Sequence, residues 1–254
     1  MKTILFLGSK PVGYQCFLHL LQSQIALEIK VAGLLTQQRS EFSGEADLQA
    51  LAGEWGVPVL DSPEDLPECD FIYSVQYHKI LKQEQIAQAK EAAFNLHMAP
   101  LPEYRGANQF SVALLDGRTE FGTTIHLMTP RIDQGAVLFE KRFPVPPDCW
   151  VEDLYKLTEA ASVQLFKDTL PQIVAGEYQP VSQSDLEGER GTSLHFKKEM
   201  ALLKEIDLNQ SEVAIYQQLR AVYMPGFEPP FGMLAGEKIY FVREAEWQKK
   251  QGLK

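Results

Sequence analysis

Residues 94–106 read FNLHMAPLPEYRG, and the interpretation of the whole chain starts from this stretch. Its first four residues alternate apolar and polar side chains, a pattern that is typical of a β-strand. Side chains two residues apart in a strand lie on the same face, so Asn95 and His97 point the same way at the strand end. The proline-rich segment Pro100–Pro102 ends the strand and predicts an irregular loop beside the pair.

The pair Asn95 and His97 suits acyl transfer to an amine. A side-chain amide can donate a hydrogen bond to a developing oxyanion, and an imidazole can move a proton near neutral pH. Such a pair is also common as ordinary hydrogen-bonded structure, so alone it leaves both interpretations open. Asp133, in the loop TPRIDQG at residues 129–135, adds a carboxylate that can orient and charge-stabilise an imidazole, although loops also favour aspartate for backbone reasons.

Apolar runs alternate with helical patterns on both sides of this stretch. The predicted strands are Thr3–Gly8, Ile29–Thr36, Val57–Val59, Phe71–Val75, Ala93–His97, Gly122–Met128 and Ala136–Phe143. The predicted helices are Val12–Ser23, Ala46–Trp55, Ile80–Ala92, Asn108–Leu115 and Val151–Ala175, with a polar loop at Gln37–Gly44. This order predicts an α/β fold, a Rossmann-like, mostly parallel sheet with helices on both faces. Ligands of such sheets bind beyond the carboxyl ends of strands, where Asn95 and His97 are placed.

The chain changes character at Val181–Thr192, a polar stretch with two glycines that is typical of a linker. Beyond it the pattern predicts a short strand at Ser193–Phe196, a helix at Glu212–Ala221 and a hairpin around Ala235–Lys238. We therefore predict one domain at residues 1–180 and a small α+β C-terminal extension at 190–254 that ends in the β-hairpin. An exposed apolar hairpin edge offers a surface for pairing of two copies, which predicts a homodimer.

Composition narrows the classes of partner. The formal net charge of −10 disfavours a nucleic acid, because binding to phosphates depends on Lys and Arg. No stretch approaches the ~20 consecutive apolar residues of a membrane span. The cysteines Cys16, Cys69 and Cys149 are scattered without metal-ligand spacing, which predicts no metal and a reducing, cytoplasmic location.

The first turn, Gly8–Gly13, lacks the glycine spacing of a dinucleotide-binding loop, and no acidic residue closes the second strand near Thr36. NAD binding is therefore disfavoured. Ser9 and Lys10 stand where a helix begins, a position that favours anions, so they are candidates for contact with a ligand phosphate. A solvated turn is an equally good interpretation.

Three elements together, over residues 1–180, resemble the signature of the folate-dependent formyltransferases: Asn95-x-His97, Leu101-Pro102-x-Tyr104-x-Gly106 and Asp133-x-Gly135. That family includes glycinamide ribonucleotide, methionyl-tRNA and nucleotide-sugar N-formyltransferases. The resemblance implies an enzyme that uses N10-formyltetrahydrofolate as co-substrate, with Asn95, His97 and Asp133 as its catalytic trio.

The resemblance also implies ligand contacts. The stretch Ser74–Leu81 is similar to the family segment that lines the pterin pocket largely through backbone groups. Folate contacts are implied for Gln76, Tyr77, Lys79, Ile80, Leu81, Arg131 and Ile132, although the family often has glycine at the position of Arg131. Acceptor contacts are expected from Tyr104, Arg105, Asn108, Gln109, Tyr223 and Phe227, together with Ser9 and Lys10. Helix capping by Asn108 and simple packing by the two aromatic residues stay open as alternatives. His78, His126 and His195 are interpreted as rim or structural residues.

The tail selects among subfamilies. The run Arg220-Ala221-x-x-x-Pro225-Gly226-Phe227, followed by a hairpin, resembles nucleotide-sugar formyltransferases and not the larger carboxyl-terminal domain of the tRNA enzymes. The implied acceptor is the primary amine of a nucleotide-linked amino deoxysugar, with neither the base nor the sugar identified. Formylation of another amine, hydrolysis of formyltetrahydrofolate and a non-catalytic folate- or nucleotide-binding module remain alternatives.

Overall fold

The computed structural model describes residues 1–37 and 47–250, with side chains up to residue 248. The predicted loop after Gln37 and the first residue of the helix predicted from Ala46 lie outside the described residues. The chain divides into two compact units. Unit 1 comprises Met1–Arg105, Gly122–Arg142 and Thr158–Thr192, and unit 2 comprises Gly106–Phe121, Phe143–Leu157 and the residues from Ser193 onward. The units are therefore discontinuous in sequence, whereas the predicted division is a single cut between residues 180 and 190.

The strands are β1 (Lys2–Gly8), β2 (Ile29–Thr36), β3 (Val59–Leu60), β4 (Cys69–Val75), β5 (Ala89–His97), β6 (Arg105–Gly106), β7 (Glu120–Leu127), β8 (Val137–Pro144), β9 (Leu194–His195), β10 (Glu205–Ile206), β11 (Phe231–Leu234) and β12 (Glu237–Tyr240). The α-helices are α1 (Lys10–Gln22), α2 (Leu48–Glu54), α3 (Gln83–Ile86), α4 (Gln109–Leu115), α5 (Val151–Ala175), α6 (Gln183–Arg190), α7 (Met200–Leu203), α8 (Glu212–Val222) and α9 (Glu244–Lys250).

Over the described residues, the main sheet has seven strands in the order β3-β2-β1-β4-β5-β7-β8. The pairs β2–β3, β1–β2, β1–β4 and β4–β5 are parallel, and β5 pairs antiparallel with β7. The prediction of an α/β fold with a mostly parallel sheet is thus confirmed. Strand β5 lies between β4, with which it is parallel, and β7, with which it is antiparallel. Its carboxyl end therefore pairs with both strands.

Continuous apolar runs build the core of unit 1. Strands β1 and β4 are buried over Ile4–Leu7 and Phe71–Val75, as expected for parallel strands with covered faces. Phe6 stacks on Phe17 of α1 with ring centroids 5.0 Å apart, and Tyr73 meets Phe166 of α5 edge-on at 4.7 Å. These contacts fix the sheet from which the site residues project.

The cysteines are buried thiols of low reactivity. Cys16, Cys69 and Cys149 are free and buried. Burial raises the pKa of both Cys69 and Cys149 to about 11, and it raises the pKa of Cys16 further still. A thiol with such a pKa is protonated near neutral pH and is a poor nucleophile.

Two element predictions in unit 1 are wrong. The stretch predicted as a helix at Ile80–Ala92 is helical only at α3, because Ala89 and Ala92 extend β5 and pair with Cys69 and Phe71 of β4. The predicted linker at Val181–Thr192 contains helix α6. Its sequence QSDLEGER has a single large apolar residue, Leu186, and so shows no apolar periodicity typical of a helix.

Unit 2 carries the small carboxyl-terminal sheet. Strands β10, β11 and β12 form a three-stranded sheet in which β11 and β12 are antiparallel. Ala235 and Gly236 between them both have positive φ, 50° and 83°, as a tight two-residue hairpin requires. The predicted hairpin is confirmed. Within the same unit, Arg220 of α8 donates hydrogen bonds to the carbonyl oxygens of Pro147 and Cys149.

Candidate active site

Strands β5 and β7 place two polar side chains opposite each other. Their register pairs Asn95 with His126 and His97 with Thr124. Directly opposite residues of an antiparallel pair share one face of the sheet. The amide nitrogen Nδ2 of Asn95 lies 3.1 Å from Nε2 of His126, within hydrogen-bond distance.

His97 is held by the loop that follows it. Its ring is buried, and Nε2 lies 2.7 Å from the carbonyl oxygen of Tyr104. A carbonyl oxygen can only accept, so Nε2 carries the proton and the lone pair of the neutral ring is on Nδ1. The hydroxyl of Thr124 fixes the same loop, because it donates to Ala99 O at 2.9 Å and accepts from Leu101 N at 3.2 Å.

The carboxylate of Asp133 lies between two imidazoles. Its Oδ2 is 3.5 Å from Nδ1 of His97, and its Oδ1 is 3.5 Å from Nε2 of His126. The structure therefore brings together the three residues that the sequence singled out. Their arrangement differs from the expectation in one respect. The Tyr104 carbonyl orients the neutral His97 ring, whereas Asp133 faces the nitrogen that takes up a proton.

His126 lies next to Asn95 and Asp133, whereas its place in the sequence predicts only a structural role. Its Nδ1 lies 2.8 Å from the carbonyl oxygen of Leu127 and must donate to it. Nε2 of the neutral ring is then an acceptor, so it receives one amide hydrogen from Asn95 and fixes the orientation of that amide. The second amide hydrogen of Asn95 is left for another acceptor. Alternation along β7 shows only which face His126 occupies, and the register against β5 is needed to find its partner.

The loop of Asp133 has little freedom. Asp133 has a φ of 49°, in the left-handed region that Asp and Asn tolerate better than most residues. A Cβ atom at Gly135 would lie 1.7 Å from the carbonyl oxygen of Leu127, so only glycine fits there. Gln183 of α6 donates from Nε2 to Asp133 O at 2.7 Å and to Gly135 O at 2.8 Å.

The residues implied for folate differ in their exposure. Gln76 has a φ of 57° at the end of β4, and Tyr77 is half-buried against a core cluster of unit 1. Leu81 is buried inside that cluster, whereas Ile80 is 61% exposed. Ile80 therefore offers side-chain surface to a ligand and Leu81 supports the turn from below. Of the remaining three, Lys79 and Arg131 are exposed and Ile132 is half-buried.

The turn after β1 is linked to the turn after β4. The buried Ser9 hydroxyl donates to the carbonyl oxygen of Gln76, and Ser9 N donates to Val75 O at 3.2 Å. Lys10, with a φ of 65°, donates from Nζ to the side-chain oxygen of Gln76 at 3.0 Å. Ser9 therefore serves the fold of these turns, and Lys10 is the residue of the two whose charge can reach a ligand.

The residues expected at the acceptor side are divided between the units. Tyr104 is buried in unit 1 and acts on His97 through its carbonyl oxygen, and Arg105 follows it half-buried. In unit 2, Asn108 has a φ of 60° and donates to Phe196 O at 2.8 Å without a capping bond, so the capping alternative is wrong. Gln109 begins α4 and is half-buried, Tyr223 is buried against Trp150, and Phe227 is 57% exposed.

The side chains and helices of residues 1–37 and 47–250 bear on metal ligation and on membrane spanning. In these ranges, no group of three or more His, Cys, Asp or Glu side chains has an arrangement that could hold a metal ion. Among the helices in the same ranges, none combines the length and the apolar character that crossing a bilayer requires.

The segment that carries this site is similar to known proteins. Residues 61–170 match the family model described as formyl transferase. The bifunctional polymyxin resistance protein ArnA of Wigglesworthia glossinidia brevipalpis is 32% identical over 170 residues, which are 67% of this chain and 25% of that protein. The methionyl-tRNA formyltransferase of Synechococcus sp. (strain JA-3-3Ab) is 29% identical over 259 residues, covering 95% of this chain and 77% of that protein.

The fold is shared with a solved N-formyltransferase from Helicobacter canadensis in complex with folinic acid and dTDP-3-aminofucose. The TM-score is 0.76 at 19% sequence identity, over 94% of this chain and 86% of that chain. Residues 61–170 contain Asn95, His97, His126 and Asp133, so the whole arrangement lies inside the matched segment. Residues 61–170 are therefore similar to a formyl transferase domain, in agreement with the resemblance seen in the sequence.

Proposed function

We propose that this chain is an N-formyltransferase that moves a formyl group from N10-formyltetrahydrofolate to the primary amine of a nucleotide-linked amino deoxysugar. The observation that carries the proposal is the convergence of Asn95, His97 and Asp133, with 3.5 Å between Nδ1 of His97 and Oδ2 of Asp133. The similar fold of the Helicobacter canadensis protein, whose structure holds folinic acid and dTDP-3-aminofucose, supports this choice of substrates.

The first step joins the acceptor nitrogen to the formyl carbon. As the amine attacks, the formyl oxygen becomes an oxyanion and accepts the second amide hydrogen of Asn95. Nδ1 of His97, the unprotonated ring nitrogen, takes the proton that the amine releases. The resulting imidazolium then donates from Nδ1 toward Asp133 and from Nε2 to Tyr104 O, so both of its N–H groups face acceptors.

The second step breaks the bond between the formyl carbon and N10 of the folate. The oxyanion collapses to the new formamide, and the electron pair of the breaking bond goes to N10. The proton held by His97 is transferred to N10, so the products are tetrahydrofolate and the N-formylated sugar. His97 ends neutral, with its lone pair again on Nδ1, ready for another turnover.

The ligand contacts are part of the proposal. The exposed Ile80 and the turn at Gln76, Tyr77, Lys79 and Leu81, with Arg131 and Ile132, bind the folate. In unit 1, Lys10 and Arg105 bind the acceptor, and Ser9 and Tyr104 hold the turns from which they project. The acceptor contacts expected of Asn108, Gln109, Tyr223 and Phe227 stay a prediction. Lys10 and Arg105 supply positive charge for a compact phosphorylated ligand in a chain whose net charge is −10.

A methionyl-tRNA acceptor is the second candidate, because the Synechococcus enzyme aligns with 95% of this chain. The net charge of −10 counts against it, since tRNA binding depends on neutralising many phosphates. Water as the acceptor would make the chain a formyltetrahydrofolate hydrolase, and folate binding without turnover would make it a binding module.

A mass-spectrometric screen tests the proposed function. The chain is incubated with N10-formyltetrahydrofolate and separate nucleotide-linked 3-amino and 4-amino deoxysugars. We expect one of these acceptors to gain the mass of a formyl group with release of an equal amount of tetrahydrofolate. Formylation of methionyl-tRNA alone, release of formate alone, or no turnover over the whole panel would each contradict the proposal.

The replacement of His126 by leucine tests how Asn95 is oriented. Loss of the Asn95–His126 hydrogen bond frees the amide to rotate, and we expect kcat to fall about tenfold, the equivalent of one hydrogen bond. Because His126 acts through Asn95, the same change in an Asn95→Ala background should have little further effect. Steady-state kinetics of both variants measure this coupling. Equal losses in the two backgrounds would show that His126 acts independently.

Cellular context and assembly complete the proposal. We place the catalytic function in residues 1–180 and assign residues 190–254 to a small extension. Met233, Leu234, Ile239 and Tyr240 on the terminal hairpin are all more than 40% exposed, and we propose that a second copy covers them in a homodimer. The three buried free thiols are compatible with the reducing cytoplasm that we propose as its location.

A further inference from the structure

We propose that helix α6, which the sequence suggests is a linker, is a brace that holds Asp133 at its distance from His97. Gln183 and Arg190, its first and last residues, are the positioning residues of this brace. The inference rests on the proposed function, because Asp133 and His97 are the groups whose separation the brace would set. All the contacts involved lie within unit 1.

Gln183 holds the loop of Asp133. Its side chain is buried, and its single NH₂ group donates to two backbone oxygens, those of Asp133 and Gly135. The other end of the amide, Oε1, is buried with no hydrogen-bond partner in the described part of the chain. Burying the unpaired oxygen Oε1 costs free energy. The two hydrogen bonds of the NH₂ group must therefore be what favours a glutamine at this position.

Arg190 holds the loop that orients His97. It donates to the carbonyl oxygen of Leu101 at 3.3 Å and forms an ion pair with Glu140 at 3.1 Å. Glu140 also pairs with Arg142 at 2.8 Å, and Arg142 pairs with the buried Glu103 at 2.6 Å. Glu103 precedes Tyr104, whose carbonyl oxygen accepts from His97. The loop is therefore held at Leu101 and at Glu103, shortly before Tyr104.

The two anchors are the two ends of one rigid element. A helix of this length spans about 10 Å. Because the helix is rigid, it keeps the loop held by Gln183 at a fixed distance from the loop held by Arg190. Because Oδ2 of Asp133 lies 3.5 Å from Nδ1 of His97, small shifts of either loop would change their interaction strongly. Precise placement of catalytic groups is sensitive to displacements of about 1 Å.

The test replaces Gln183 by methionine, which keeps the length of the side chain and removes the donor. We expect kcat for formyl transfer to fall about tenfold with KM for both substrates nearly unchanged, because the reacting groups move and the ligand contacts do not. In an Asp133→Asn background the same replacement should cost less than about twofold, since the two residues act as one unit. Arg190→Gln, a partly exposed position, is the second variant and should also lower kcat selectively.

Gln217→Met is the matched control. Gln217 likewise donates from Nε2 to two backbone oxygens, those of Leu114 and Leu115, but it does so in unit 2. It should lower thermal stability about as much as Gln183→Met while leaving kcat within about twofold of the parent protein. Additive losses in the Asp133→Asn background, or equal loss of kcat in the control, would overturn the brace.

Hydrogen exchange separates failure of the brace from failure of the proposed function. In Gln183→Met we expect the amides of residues 129–136 to exchange about tenfold faster than in the parent protein, and Gln217→Met should leave them unchanged. This measurement needs no substrate. Absence of formyl transfer by the parent chain would contradict the proposed function alone, and unchanged exchange in Gln183→Met would contradict the brace alone.

Discussion

Replacing His97 by alanine is expected to lower kcat for formyl transfer by about 10²–10⁴-fold, the usual contribution of one general base. The Nδ1 atom of His97 is the basic group that faces both Asp133 and the proposed position of the amine, since Nε2 already donates to Tyr104 O. Without it the proton of the attacking amine has no positioned base to accept it. KM for the folate should stay near its parent value because the proposed folate contacts lie elsewhere.

His195→Ala is the control for this variant. His195 is likewise a hydrogen-bonded histidine, with its ring nitrogens 3.0 Å from Glu199 and 3.0 Å from Ser193, but it belongs to unit 2. We expect its removal to leave kcat within about threefold of the parent value, as for residues outside a reacting site. A kcat of His97→Ala near that of the parent protein would contradict the role of His97 as the general base.

Replacing Asp133 by asparagine is expected to lower kcat by about 10²–10³-fold. The substitution removes the charge that stabilises the imidazolium, and the new NH₂ group can donate to Nδ1 of His97 and occupy the lone pair. The backbone should tolerate the change, because asparagine is at ease at the φ of 49° found here. Gln183 would continue to hold the main chain of the loop.

Asp168→Asn provides the comparison for a carboxylate outside the site. Its side chain lies on α5, half-exposed, and accepts a hydrogen bond from Gln164. Single-turnover rates and thermal melting are measured for both variants. We expect Asp133→Asn to be slow with an unchanged melting temperature, and Asp168→Asn to be fully active. A transfer rate within threefold of the parent protein for Asp133→Asn would exclude its proposed role.

The buried sheet could be predicted from sequence because its strands are marked by local pattern. The apolar runs at Ile4–Leu7 and Phe71–Val75 are nearly continuous, and the spacing of Asn95 and His97 places both on one face of β5. Convergence of the pair with Asp133 depended on the family resemblance, because no local rule brings a loop 36 residues further along the chain back to His97.

Other parts of the site depend on pairings that no single segment encodes. His126 reaches Asn95 through the antiparallel register of β5 and β7, which is a property of two distant segments. Tyr104 acts through a backbone oxygen, a group that every residue carries. Helix α6 could not be predicted from the sequence for a third reason. It is fixed by polar contacts at its two ends and has no apolar stripe, so its composition is that of a linker.

The most direct test of the account is a crystal structure of the chain with a stable N10-formyl folate analogue. We predict that the formyl oxygen lies within hydrogen-bond distance of Asn95 Nδ2, about 2.7–3.2 Å, with the formyl carbon on the side of His97 that bears Nδ1. A formyl group bound away from Asn95, His97 and Asp133, too far for even one bridging water, would contradict the central claim.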